Sequence, residues 1–199
     1  MSQLIAGIPD WIIVSLILLS SVIALAIILE RSYFLLRQLK PINIEEERQL
    51  LRYLQEKKYE EAMAFCRLRN HPAYNVSRVL IEARGGNIDL RSLASEDLIR
   101  ELSTLERYLP TLGTISSIAP MLGLLGTVTG MIKAFSGFTT NQGSQLTRGI
   151  EEALITTALG LMVAIPALIM YNYFTRRVSS LIEEANILAE MVIAELEKK

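Results

Sequence analysis

The chain has 199 residues, 51% of them hydrophobic, and a mean hydropathy of +0.34, with its apolar residues gathered in blocks rather than spread as a globular core requires. Its 20 Lys and Arg against 21 Asp and Glu leave no basic footprint for nucleic acid and no acidic tail. A single cysteine, Cys66, excludes an internal disulfide and a cysteine-rich metal site, and reads as a packed, reduced thiol.

Uncharged runs cover Trp11 to Leu29, Tyr108 to Ile132 and Ala153 to Thr175, each close to the roughly 20 residues that a helix needs to cross the hydrocarbon core. The fold class expected is therefore all-α, with three transmembrane helices. The opening "MSQLIAGIPD" has no Lys or Arg and is followed by no convincing small-residue cleavage site, so the first run is expected to stay as an anchor. Arg31, Arg37 and Lys40 follow that run, Arg100 and Arg107 precede the second, and Arg176 and Arg177 follow the third. By the excess of basic residues on the cytoplasmic side, the N-terminus is outside and the C-terminus inside. The divisions expected are an outer N-terminus over 1–10, membrane helices over 11–35, 108–136 and 148–175, a cytoplasmic helical domain over 36–107, an outer loop over 137–147 and a cytoplasmic C-terminal helix over 176–199.

Between the first two spans the pattern is helical. "INIEEERQLLRYLQEKK" places Leu50, Leu51 and Leu54 on one face, and "YEEAMAFCRLR" does the same with Ala62, Met63 and Cys66. "HPAYNVSRVLIEARGGN" predicts a further helix ended by Gly85, Gly86 and Asn87, residues suited to a left-handed cap. His71, without companion ligands, reads as a turn residue. From Leu90 a helix-favouring stretch predicts one helix running into the second span, with Pro110 either kinking it or resetting its start. After the third span, Val178, Leu181, Ile182, Ala185, Leu188, Val192 and Leu196 form a stripe that prolongs that helix. Long helices extending into a cytoplasmic bundle complete the expected architecture.

The second span is unusual for a membrane helix because "APMLGLLGTVTGMIKAF" carries a proline, three glycines and two threonines. Counting by alternating threes and fours picks out Gly113, Ser116, Pro120, Gly123, Thr127, Gly130 and Ala134, all small or polar. On the third span the same count gives Ala153, Thr157, Gly160, Ala164 and Ala167. Small residues at such spacing mean close backbone approach to a neighbouring helix, since lipid supplies little hydrophobic drive between helices. Thr127 and Thr157 fall at similar depth on antiparallel spans. A membrane hydroxyl is commonly satisfied by its own helix one turn earlier, yet a pair facing one seam can also order water or bond a protonated carboxyl.

No Asp, Glu, His, Lys or Arg lies within any of the three runs, so a proton path here needs a carboxylate brought by a partner. Glu151 and Glu152, at the outer mouth of the third span, read either as helix-start residues beside free N–H groups or, for Glu152, as a proton-entry or partner-binding group. Lys133 snorkels to the outer interface. No Walker loop, nucleophile elbow, zinc motif or dinucleotide fingerprint is present, so no catalytic residue, metal or cofactor is expected.

The blocks "APMLGLLGTVTGMIKAF" and "GIEEALITTALGLMVAIPALIMYNYF" resemble the signature segments of the MotA/TolQ/ExbB proton-channel family, in its ExbB/TolQ branch. The flagellar branch is less similar, its members usually having four spans. The resemblance implies a stator subunit of an inner-membrane proton-driven motor. Its second and third spans, in a homopentameric ring, line a central pore around two single-span ExbD/TolR-like helices, each carrying one aspartate. It also implies a TonB/TolA-like envelope-spanning protein that receives the force, membrane lipids around the ring, and no nucleic acid. Carried over, the family's pore threonines fall on Thr127 and Thr157, with Thr156 the neighbour, and its outer-mouth glutamate on Glu152. The small residues Gly113, Ser116, Pro120, Gly123, Gly130, Ala153, Gly160 and Ala164 then line the pore seam. A non-conducting membrane scaffold and an autonomous channel or transporter are the alternative readings.

Overall fold

The computed structural model describes residues 10–35, 42–86, 88–138 and 143–198. Among them every regular element is helical: α1 Asp10–Tyr33, α2 Ile44–Gln55, α3 Tyr59–Arg67, α4 Pro72–Glu82, α5 Leu90–Leu105, α6 Leu109–Phe138 and α7 Gly143–Leu196. Arg37 and Lys40, used for orientation, and the cap candidate Asn87 lie outside the described residues.

The chain divides into two compact units, one of Met1–Glu30 with Tyr108–Tyr173 and one of Arg31–Arg107 with Phe174–Lys199. The first holds the apolar runs. Three helices are long and apolar enough to cross a membrane, Trp11–Tyr33, Leu109–Phe135 and Gly149–Leu196. Within their uncharged runs large apolar side chains are exposed, with Val22 at 66%, Leu124 at 61% and Met162 at 68% exposure. A surface of that kind is stable against lipid, where a helix satisfies its own backbone groups, and unfavourable against water. The chain is a membrane protein.

The second unit packs like a water-soluble domain. Leu50 and Leu54 of α2, Ala62, Phe65 and Cys66 of α3, Val76, Leu80 and Ile81 of α4, and Ala185, Leu188, Val192 and Ile193 of α7 form one buried core. Leu51, Met63 and Leu196 pack against it from partly exposed positions. Phe65 and Ile193 belong to this core although the sequence stripes left them out. Local signals start these helices: the Asn43 side chain accepts from the Glu45 N–H at 3.2 Å, and Asp89 accepts from the Arg91 N–H at 3.1 Å. α4 ends before Gly85, whose φ of +82° is the left-handed conformation that glycine adopts without strain. Burial pushes the Cys66 thiol up to about 12, which makes it inert.

Two expectations are corrected. No single helix runs from Leu90 into the second span: α5 ends at Leu105 and α6 starts at Leu109, with Tyr108 between them at φ 70°. Of the two roles considered for Pro110, the reset of the helix start is the one adopted, because a proline in the first helical turn gives up no hydrogen bond. The buried Arg31 donates from Nη1 to the Leu105 carbonyl at 3.1 Å, satisfying an end of α5 that the break leaves open. Glu151 and Glu152 do not begin a helix either. α7 starts at Gly143, two turns earlier, so neither carboxylate caps it.

His71 is the N-cap of α4. Its Nδ1 accepts from the Ala73 N–H at 3.2 Å, which places the proton of the neutral ring on Nε2, 3.6 Å from Glu184 Oε2 on α7. Burial holds the His71 pKa below the usual imidazole range; Arg177 acts in the same direction, and Glu184 and Glu46 oppose them. The folded state therefore favours the neutral ring, whereas the unfolded chain binds a proton near the ordinary value. Stability is full above about pH 6.5 and is lost as the pH falls from there through the depressed folded value. Thermal unfolding from about pH 7.5 to about pH 5.5 should show this loss, and His71→Asn, which keeps a capping acceptor without titrating, should remove that share of it.

Candidate functional site

The glycines of α6 and α7 face each other within one chain. A Cβ built on Gly160 would stand 2.5 Å from the Ala119 carbonyl oxygen and 3.2 Å from the Gly123 Cα, and one on Gly123 would meet the Thr157 Cα at 3.0 Å. One turn on, a Cβ on Gly126 would meet the Thr156 side chain at 2.7 Å. Further along, Gly130 would meet Ala153 at 2.9 Å, and Gly149 would meet Ala134 at 2.8 Å. At the other end Gly113 lies under the Tyr171 ring, 3.0 Å from its nearest carbon. At Gly126, Gly130, Gly149 and Gly160 a side chain would force a neighbour to shift, at Gly113 and Gly123 it would press tightly on one, and dispersion contacts between the two backbones hold the helices together where lipid gives no hydrophobic drive.

Of the residues singled out from the sequence, Gly113, Gly123, Gly130, Ala153 and Gly160 are brought together in this contact. Ala164 is buried on α7, Ser116 is buried with its hydroxyl donating to the Gly113 carbonyl at 2.7 Å, and Pro120 lies inside α6. Gly126 and Gly149 belong to the contact as well and were missed. The count by threes and fours from Gly123 to Gly130 can pass through 126 or 127, and only packing decides which. Thr129 was also missed; it is fully buried and donates to the carbonyls of Leu125 and Gly126 at 3.1 Å.

The hydroxyls divide into two kinds. Thr157 donates across the seam to the Gly123 carbonyl at 2.9 Å, a bond between α7 and α6. Thr127 and Thr156 donate within their own helices, to Leu124 at 2.7 Å and to Glu152 at 2.6 Å. Thr156 is buried against Gly126, whereas Thr127 and Thr157 keep partial exposure. A hydroxyl whose proton is committed to a carbonyl has only lone pairs left to offer. As placed, each of the partly exposed pair is thus an acceptor, able to receive a bond from a protonated carboxyl or from water.

Glu152 is exposed on α7 and borders an open pocket of about 200 Å³ together with Trp11 and Val14 of α1, Gly126 and Gly130 of α6, and Thr156. Among the described residues no group of three His, Cys, Asp or Glu side chains is placed to hold a metal ion.

A family profile described as the MotA/TolQ/ExbB proton channel family matches residues 50–187, a stretch that contains both helices of the seam. The chain belongs to this family. Relatives place it in the ExbB/TolQ branch. It is 40% identical over 138 residues to the Tol-Pal system protein TolQ of Pseudomonas aeruginosa, covering 68% of this chain and 57% of that protein. It is 33% identical over 163 residues to the putative biopolymer transport protein ExbB-like 3 of Synechocystis, covering 77% and 76%. The biopolymer transport protein ExbB of Salmonella typhimurium is 41% identical over 90 residues, 42% of this chain and 37% of that one. The chain thus spans somewhat over half the length of the TolQ it matches. A MotA/TolQ/ExbB protein belongs to a proton-channel class and not to an enzyme class.

Two kinds of substitution separate the packing from the hydrogen bond. Gly160→Ala drives a methyl group into a backbone carbonyl that cannot swing aside, and should cost about 1–3 kcal/mol or prevent assembly of the fold. Thr157→Val keeps the shape and removes only the interhelical bond, and should cost roughly 0.6–1.7 kcal/mol, with Thr157→Ser near wild type. Thermal unfolding of the full chain in detergent measures all three; equal stability of wild type and Gly160→Ala is the result this geometry does not allow.

Proposed function

We propose that this chain is the ring-forming stator subunit of an ExbB/TolQ-like proton-driven motor in a bacterial inner membrane. Five copies surround the single membrane helices of two ExbD/TolR-like subunits, and proton flow is coupled to force on a TonB/TolA-like envelope-spanning protein. The N-terminus and residues 137–147 are outside, and residues 36–107 and 176–199 are in the cytoplasm.

The observation that carries the reading is that Thr127 and Thr157, on helices without a charged side chain at mid-span, are both partly exposed. Their hydroxyl protons are engaged by the Leu124 and Gly123 carbonyls, which leaves their lone pairs as what they offer in an apolar stretch. Such a wall accepts a bond from a protonated carboxyl and gives nothing to a carboxylate, which in hydrocarbon is strongly disfavoured. A partner aspartate therefore passes this level protonated and must reach water or a donor group to ionise. Glu152, at the outer end, raises the local proton concentration and receives protons ahead of the aspartate. Thr156, buried against Gly126, shapes the helix contact and not the path. Gly123, Gly126, Gly130 and Gly160 hold α6 and α7 close enough to act as one wall element.

In cells, Thr157→Ala with Thr127→Ala should abolish energised uptake or envelope integrity while the protein still accumulates, and Thr157→Ser with Thr127→Ser should restore it. Native mass spectrometry of the complex isolated through a tag on this chain tests the assembly. Five copies with two small single-span proteins, each bearing one membrane aspartate, are expected. A ring of this chain alone, reproducibly and in mild detergent, contradicts the proposal and favours a scaffold or an autonomous channel.

A further inference from the structure

Pro166 stands inside α7, close to the middle of its apolar stretch, and has no backbone N–H. The carbonyl four residues earlier, that of Met162, therefore has no helical donor. In a bilayer an unsatisfied carbonyl is costly, and interior prolines persist where a neighbouring helix, a hydroxyl or ordered water takes up the freed group. The structure provides such a place. An open groove of about 190 Å³ lies between α1 and α7, and the α7 residues that border it are Met162, Val163, Pro166 and Ala167, the two ends of the missing bond. Opposite them on α1 is Ser21, near the centre of Asp10–Tyr33 and the one hydroxyl that borders this groove.

Ser21 differs from its neighbours on α1. Ser15 donates to the Trp11 carbonyl at 2.6 Å and Ser20 to the Ile17 carbonyl at 2.8 Å, so both are satisfied by their own helix. Among the described residues no such bond occupies the Ser21 hydroxyl. Met162, whose carbonyl lacks its helical donor, and Ser21, whose hydroxyl is not taken up by its own helix, thus border one space, which at about 30 Å³ per molecule has room for several waters. We infer that the α1–α7 groove is an intramembrane water site, in which ordered water bridges the Met162 carbonyl to the Ser21 hydroxyl. The remaining walls, Ala24, Leu25 and Ile28 among them, supply no competing polar group. The site satisfies the α7 backbone at its proline without fixing it rigidly, because water exchanges partners as the helix bends. It is separate from the α6–α7 threonines and holds whether or not the chain conducts protons.

Thiol alkylation in membrane vesicles tests this, because a thiol reacts as its thiolate and the thiolate forms only where water reaches. The full chain with Ser21→Cys is compared with Leu19→Cys, an exposed position on the other side of α1, using N-ethylmaleimide. The inert Cys66 makes the unsubstituted chain the blank. Ser21→Cys should react at least about tenfold faster than Leu19→Cys, and adding Pro166→Ala should bring it down towards the Leu19→Cys rate, since the restored N–H takes up the Met162 carbonyl. Equal rates at the two positions mean a dry or lipid-filled groove and overturn the proposal. A fast rate that ignores Pro166→Ala overturns the bridge to Met162. Water-to-carbonyl magnetisation transfer at Met162 in the unsubstituted chain, reconstituted in bilayers, is the second readout, and its absence also overturns the assignment.

Discussion

The close approach of α6 and α7 at Gly123 and Gly160 is the constraint on which the candidate site depends. A hydrophobic core in water can be held by many interchangeable side chains, but two helices in lipid gain little from burying leucine against leucine. What holds them is contact between backbones, and that requires hydrogen in place of a side chain at each crossing point. Gly160 against the Ala119 carbonyl is the tightest of these points. The same closeness lets the Thr157 hydroxyl reach the Gly123 carbonyl on the other helix, so packing and polar chemistry come from one geometric fact. The glycines that make the second span look weak are what make the pair of helices strong.

The second unit follows different rules, and the contrast appears residue by residue. There the core combines leucine, isoleucine, valine and aromatic side chains with alanines and Cys66, the burial of apolar surface that the hydrophobic effect favours in water. Its polar groups are tied down at helix ends: Asn43, His71 and Asp89 begin helices, and Arg31 closes the end of α5. Phe65 receives the Arg69 guanidinium over its ring at 3.5 Å while Arg69 pairs with Glu46 at 3.1 Å, which joins α2 to α3 by a partly buried charge. Glu101 accepts from the Asn75 amide at 2.9 Å and joins α5 to α4 in the same way.

The three spans were legible because an uncharged apolar run of about 20 residues matches the thickness of the hydrocarbon core, whereas a helix at a protein surface in water needs a polar face. The seam was legible as a pattern, but its exact row was not. From Gly123 to Gly130 a count of four then three selects Thr127, and a count of three then four selects Gly126; the same ambiguity separates Thr156 from Thr157. Packing resolves it by burying Gly126 and Thr156 and leaving Thr127 and Thr157 at the edge. The break between α5 and α6 had no glycine to announce it. Tyr108 holds a left-handed φ that a bulky residue adopts only under tertiary constraint, and no local propensity encodes that. Of the two readings left open for Glu152, the helix start falls away because the polar stretch before it, compatible with helix as well as with loop, is helical from Gly143.

The measurement that most directly tests the central claim is a through-space carbon correlation spectrum of the full chain, reconstituted in lipid bilayers with carbon-13 glycine. The account predicts a short-range cross-peak between the Cα atoms of Gly123 and Gly160, as their backbone contact requires. A spectrum that shows the Gly130 and Gly149 contact but no correlation between Gly123 and Gly160 would mean that the helices part at the level of Thr157, and would contradict it.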